Sequence, residues 1–261
     1  MQDADLIQKQ DDLARKFWDM GAVAVAFSGG VDSSLLLKMA RDVLHDNVIA
    51  ITACSIIHPE QDLFDAKRIA EELNVRHVLF SAREMSIPEF VMNRRDRCYH
   101  CKRYLFGSFF RIARKHGIGH LVHGANMDDL DDYRPGMQAA LELGVVAPLI
   151  DAGFYKTDIR ALSRRLNLSV WAKPARPCLS TRVPYGTPVS VTKLKVIEEA
   201  ETFIMNLGFS DLRVRHLGMQ ARIEIDRREL EDIYAPDIHA CIMKKLHSLG
   251  FKDVVIRIRS K

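Results

Sequence analysis

The segment Val23-Ala24-Val25-Ala26-Phe27 reads as a buried strand and runs without pause into Ser28-Gly29-Gly30-Val31-Asp32-Ser33. A helical pattern, Ser34-Leu35-Leu36-Leu37-Lys38-Met39-Ala40, follows at once. A strand, a glycine turn and a helix in this order make an anion site. The glycines permit positive φ and let backbone N–H groups approach an anion closely. Ser28 and Ser33 add hydroxyls, and the open N–H groups at the helix start present the positive end of its dipole. No Gly-Lys-Ser/Thr follows the glycines, so this is not a Walker A loop. The string points to nucleotide binding with phosphate chemistry other than routine γ-phosphate transfer.

The pattern continues along the chain. Apolar β-branched runs at 22–27, 47–53, 76–80, 119–123 and 168–172 alternate with helical patterns at 4–19, 33–45, 60–73, 102–116 and 157–167. Alternation at this spacing predicts βαβ units: an α/β fold with a parallel, doubly wound sheet. Ligands then sit beyond the carboxyl ends of the strands, where the 28–33 loop lies. The texture changes after Pro174-Ala175-Arg176-Pro177-Cys178 and Pro184-Tyr185-Gly186-Thr187-Pro188. Beyond these prolines the expected elements are a helix (190–207), strands 211–216 and 221–226, a helix (227–248) and a strand (252–258). The expected division is therefore 1–186 and a small α+β domain, 187–261.

Hydrophobic content of 48% and charged content of 28% suit a globular enzyme. No apolar run reaches the roughly 20 residues of a membrane span, and the N-terminus is too acidic to read as a secretory signal. A cytoplasmic location is expected. A net charge of +4 suits small anions and does not imply a nucleic-acid surface.

Five cysteines, an odd number, argue against a disulfide framework. Cys54 and Cys241 read as small buried residues. Cys98-Tyr99-His100-Cys101 is a C-x-x-C pair in a basic setting, and Cys178 lies in the proline-bounded loop between Arg176 and Arg182. Three thiolates with one open position suit an iron–sulfur cluster better than closed structural zinc. The other reading is two unrelated local cysteine features. Beyond the fourth strand, Asp128, Asp129, Asp131 and Asp132 place four carboxylates in five residues. They could hold Mg²⁺, with Arg134 reaching phosphate, or form a solvated acidic helix start.

Ser28-Gly29-Gly30-Val31-Asp32-Ser33 resembles the signature of the PP-loop ATP pyrophosphatases. Arg97-Cys98-Tyr99-His100-Cys101-Lys102, the Gly124–Gly136 segment, Lys156-Thr157-Asp158-Ile159-Arg160 and Lys173 to Gly186 look like the LarE group of sulfur transferases within them. So do Arg213-Val214-Arg215 and Ala221-Arg222-Ile223-Glu224, and the likeness spans nearly the whole chain.

The resemblance implies an adenine nucleotide alpha hydrolase-like domain that adenylates carboxylates of a pyridinium dicarboxylate mononucleotide and converts them to thiocarboxylates, toward a nickel-pincer nucleotide. By the same resemblance, Ser28, Gly29, Gly30, Asp32, Ser33, Gly124 and Asn126 serve ATP, and Ser55 meets the adenosine. Asp32 and Asp129 take Mg²⁺, while Lys156 and Arg134 offset charge at the α-phosphate. Arg213 and Arg215, on one face of a strand, bind substrate phosphate; Glu201, Glu224 and Asp232 are further candidates for substrate or metal contact. Cys178 handles sulfur. It either gives up its own atom or joins Cys98 and Cys101 on a [4Fe–4S] cluster, and the three cysteines favour the latter. A symmetric homo-oligomer and a sulfide or other sulfur donor are also implied. Rival readings share only parts of this pattern. An amide ligase would need an ammonia source, and no glutaminase domain fits in 261 residues. A tRNA thiolase would call for an RNA-binding extension, and a nucleotide sensor would not need Lys156, Arg134 and Cys178 together.

Overall fold

The computed structural model describes residues 2–131 and 133–259; the side chains of Gln2 and Asp3 are left aside. Two compact units emerge: residues up to Ile87 with Asp96–Arg176, and Pro88–Arg95 with Pro177 onward. Against the expected break at 186/187, the units part at Arg176–Pro177, and 88–95 goes with the second.

In the first unit the order is α1 (Gln2–Met20), β1 (Val23–Ala26), α2 (Val31–Leu44), β2 (Val48–Cys54), α3 (Glu60–Glu72) and β3 (Arg76–Ser81). After the excursion through α4 (Pro88–Val91) come α5 (Arg97–Lys115), β4 (His120–His123), α6 (Pro135–Glu142), α7 (Pro148–Asp151) and α8 (Lys156–Arg165). The strands form one parallel sheet, ordered β3-β2-β1-β4. Alternation along β1 and β2 feeds two cores. Val23, Val25, Val48 and Ala50 join Leu13, Phe17 and Leu35 on one face. Ala24, Ile49 and Ile51 meet Phe106 and Phe109 of α5 on the other. Burial on both faces explains the nearly unbroken apolar runs. Because β1 lies between β2 and β4, the chain reverses its winding there, which opens the crevice beyond the carboxyl ends of β1 and β4.

The run 168–172 is not a strand. Asn167 takes φ 56° just past α8. The carbonyls of Trp171 and Lys173 accept from the Arg160 guanidinium at 2.9 and 3.0 Å, so this segment is tied to a side chain and not to a ladder. Val146, paired with Val122, is what flanks β4 instead.

The second unit holds α9 (Val191–Asn206), β5 (Arg213–Leu217), β6 (Gln220–Ile225), α10 (Leu230–Ile233), α11 (Pro236–Ser248) and β7 (Asp253–Ile258). β5 and β6 are antiparallel, β6 and β7 parallel. Val214, Ala221, Ile223 and Ile225 alternate inward onto Ala200 and Ile204 of α9 and Ile242 and Leu246 of α11. The single helix expected at 227–248 is broken at Pro236, which stands in the first turn of α11 and has no N–H to continue a helix.

The Asn93 side chain and two backbone bonds tie residues 88–95 to this unit. Asn93, fully buried, donates from Nδ2 to the carbonyls of Pro184 and Thr187 at 2.8 Å and of Val183 at 3.3 Å. Its own carbonyl accepts Gly186 N–H, and Val91 O accepts Val189 N–H. Asn93→Ala should therefore lower the urea midpoint of unfolding, by about 2–4 kcal/mol in stability. Asn74→Ala removes an asparagine at a similar φ of 49° and should cost only about 1 kcal/mol; equal losses would mean that backbone strain, and not the carbonyl clamp, sets the effect.

Candidate functional site

The loop after β1 is shaped by close approach. Gly29 sits at φ +70°, and a Cβ there would lie 2.8 Å from the backbone nitrogen of Ala66 on α3. Only glycine fits, on both counts. Ser33 Oγ donates to Gly30 O at 3.1 Å and accepts Ser28 N–H at 3.3 Å, with Ser28 Oγ 3.2 Å away. These bonds curl residues 28–33 into a closed turn. Gly30 caps α2 without a side-chain bond, so the first N–H groups of that helix keep their capacity for an anion.

Beneath the turn, Phe27 O accepts from Thr52 Oγ1 at 2.8 Å. Thr52 has one proton, so His77 Nε2, also 2.8 Å from Thr52 Oγ1, is the donor in that pair.

The loop after β4 leans on the first. A Cβ on Gly124 would lie 2.9 Å from Ser33 N. Asn126 is a cap: its Oδ1 accepts Asp128 N–H and its N–H donates to Asp129 Oδ2, both at 3.0 Å. Its Nδ2 reaches Asp32 Oδ1 at 3.3 Å, while Asp32 Oδ2 takes the Lys156 ammonium. Lys156 opens α8, and its backbone N–H donates to Asp128 Oδ2 at 2.7 Å. Arg134 Nη1 pairs with Asp129 Oδ1 at 2.6 Å. Ser28, Gly29, Gly30, Asp32, Ser33, Gly124, Asn126, Asp129, Arg134 and Lys156 are thus brought to one edge. Of the four carboxylates, Asp128 caps a helix, Asp129 pairs with Arg134, Asp131 is exposed, and Asp132 lies outside the described residues.

Ser55, beyond β2, donates to Glu84 Oε2 at 2.5 Å. Glu84 is 1% exposed and its Oε1 has no hydrogen-bond partner; burial pushes its carboxyl above the ordinary range, with the Ser55 bond opposing. Nothing in the sequence marked Glu84. Burial, with the Lys102 cation, pushes His123 down to about 4. Burial and Lys102 likewise push His58 down to about 4, against the pull of Asp62. Both rings are neutral at neutral pH.

A second group of candidates lies in the other unit, around Cys178. Arg182 is 2% exposed and grips its own loop, Nη1 donating to Pro177 O at 2.7 Å and to Cys178 O at 3.4 Å. Its Nε and Nη2 meet Glu201 at 2.9 and 3.1 Å, and Glu201 Oε1 also accepts Val214 N–H at 2.8 Å. Both oxygens of Glu201 are therefore engaged within the fold. Arg215 pairs with Glu224 at 2.6 Å and donates to Thr181 O at 2.9 Å.

Arg213 forms no ion pair among the described residues. Burial, then Arg182, Arg259 and Arg215, hold its guanidinium below the usual range, with Asp211 opposing. Asp232 is exposed on α10, with no side-chain bond to this cluster among the described residues.

Cys98 and Cys101 stand in the first turns of α5, at a spacing that shares a face; Cys101 is buried and Cys98 half-buried. Among the described residues, no three His, Cys, Asp or Glu side chains gather into a group that could hold a metal. No helix among the described residues is long and apolar enough to cross a membrane.

A family model for NAD synthase matches residues 11–95. An uncharacterised protein of Synechocystis sp. is 37% identical, over 96% of this chain and 94% of its own length. The pyridinium-3,5-bisthiocarboxylic acid mononucleotide synthase of Lactiplantibacillus plantarum is 35% identical, over 97% of this chain and 91% of its own length. An uncharacterised protein of Methanocaldococcus jannaschii is 31% identical over 97% of this chain and 95% of its length. A PP-loop at the carboxyl edge of a parallel sheet, joined to likeness along nearly the whole chain, settles the family. This chain belongs to the LarE-type PP-loop ATP pyrophosphatases, the ATP-dependent sulfur transferases.

Proposed function

We propose that this enzyme uses ATP to adenylate the carboxylates of a pyridinium dicarboxylate mononucleotide, releasing pyrophosphate, and then converts them to thiocarboxylates. The observation that carries the reading is the Asp32–Lys156–Asn126 junction beside the 28–33 loop, on a chain alike over nearly its full length to a synthase of that product.

The chemistry follows from the groups present. A carboxylate is a poor acyl donor. Its oxygen attacks the α-phosphorus of ATP, and the bond to the β-phosphate oxygen breaks with pyrophosphate as leaving group. The N–H groups at the start of α2 and the Ser28 and Ser33 hydroxyls hold the phosphates. Mg²⁺ would bind at Asp32 and Asp129 and supply charge neutralisation, with Lys156 and Arg134 offsetting what remains at the α-phosphate. Ser55 takes the adenosine. Arg213, with Arg215, takes the substrate phosphate, a reading the crowding of guanidinium groups supports. The sulfur nucleophile, handled by Cys178, attacks the acyl-adenylate carbon and expels AMP. If the atom is the cysteine's own, loss of the Cα proton then breaks the Cβ–S bond, leaving a thiocarboxylate and dehydroalanine at 178.

A [4Fe–4S] cluster on Cys98, Cys101 and Cys178 is the other source of sulfur, drawn from an external sulfide or sulfur donor. The cysteine count supports it. Cys98, Cys101 and Cys178 would hold it, and it would supply sulfide-level sulfur. Self-association into a symmetric oligomer belongs to the same proposal.

Three outcomes test this. With ATP and the mononucleotide, Lys156→Ala should slow pyrophosphate release on the order of a hundredfold. Cys178→Ala should still release pyrophosphate yet form no thiocarboxylate; thiocarboxylate from that variant would remove Cys178 from the chemistry. After anaerobic purification, a turned-over chain lighter by one H₂S and free of iron would establish the sacrificial route, while iron and labile sulfide with unchanged mass would establish the cluster.

A further inference from the structure

Lys102 belongs to none of the networks above, yet it stands at the same edge. It lies on α5, exposed, and it forms no ion pair among the described residues. Its Nζ is 5.0 Å from the centre of the Phe106 ring one turn on. That ring is in turn 5.5 Å from the ring of His123. His123 closes β4 and pairs in register with Ala26 of β1, two residues before Ser28. Phe106 therefore supports the ammonium near the point where the phosphate loop leaves β1.

The stem of Lys102 is also braced. At Gly136, in the first turn of α6, an added Cβ would come within 3.0 Å of Lys102 Cγ. On the far side of β1, His58 follows β2 and feels the same cation. Through Phe106 and His123, Lys102 thus stands at the carboxyl end of β4, next to the end of β1. Among the cations placed here, Lys156 is held by Asp32 and Arg134 by Asp129. Lys102 can accept an anion without breaking an ion pair.

We infer that Lys102 is an anion-binding residue of the ATP site, taking an oxygen of the pyrophosphate end of ATP and holding the pyrophosphate as it leaves. A charge-assisted bond of this kind matters most for the most highly charged ligand. AMP, with a single phosphate, should be nearly indifferent to it. This inference rests on the ATP reading above.

The test is calorimetric titration of the intact protein with magnesium pyrophosphate and, separately, with AMP. Lys102→Met should weaken pyrophosphate binding about tenfold or more and AMP binding less than about twofold; Lys102→Arg should stay within about threefold of wild type for both. If the wild-type protein binds no pyrophosphate, the ATP reading itself fails and this inference with it. If wild type binds and Lys102→Met binds as well, the inference alone is wrong. Equal weakening toward both ligands overturns it too, since that marks a general change of the edge.

Discussion

The first unit turns on the carboxylate of Asp32. One oxygen receives the amide of Asn126 from the loop after β4, the other the ammonium of Lys156 from the start of α8. Three chain segments, remote in sequence, meet at one side chain at the N-terminus of α2. Position matters here as much as charge, because a carboxylate in that first turn is favoured by the helix dipole. With Gly124 pressed against Ser33, the loops after β1 and β4 behave as one object.

The second unit solves a different problem. A loop between prolines has few backbone partners of its own, and here Arg182 supplies them by donating to Pro177 O and Cys178 O. A buried guanidinium needs a counter-charge, and Glu201 provides it while also bonding β5 through Val214 N–H. The sequence places Glu201 among candidates for substrate or metal contact; within the fold its two oxygens fasten the cysteine loop's arginine to α9 and β5. Arg215 adds a second hold at Thr181 O. The Cys178 backbone is thus gripped, and Arg213 is the cation left over.

Much of this was legible from residues alone. β1 to β4 could be read because both faces of the sheet are buried, and the site loops because glycine, serine and aspartate mark strand ends. The misreadings have local causes. Leu168-Ser169-Val170-Trp171-Ala172 alternates like a strand, but Arg160 claims the carbonyls of Trp171 and of Lys173 just beyond it. Pro236 ends a helical pattern that hydrophobic spacing would have continued. What had no local signal is long-range: Asn93 binding carbonyls some 90 positions away, Arg182 choosing Glu201, Glu84 buried beneath Ser55. Such pairs depend on which elements become neighbours, and periodicity carries no record of that.

The close approach of Gly29 to α3 has a further meaning for how tightly a polyphosphate can be held. A flexible glycine loop would lose conformational entropy each time it wrapped a ligand. Here the backbone of Ala66 leaves no room for a side chain, and the hydroxyl bonds within 28–33 complete the turn. The ordering is met once, when the chain folds. A ligand bound in such a turn would meet a loop already ordered, and would lose less entropy on binding.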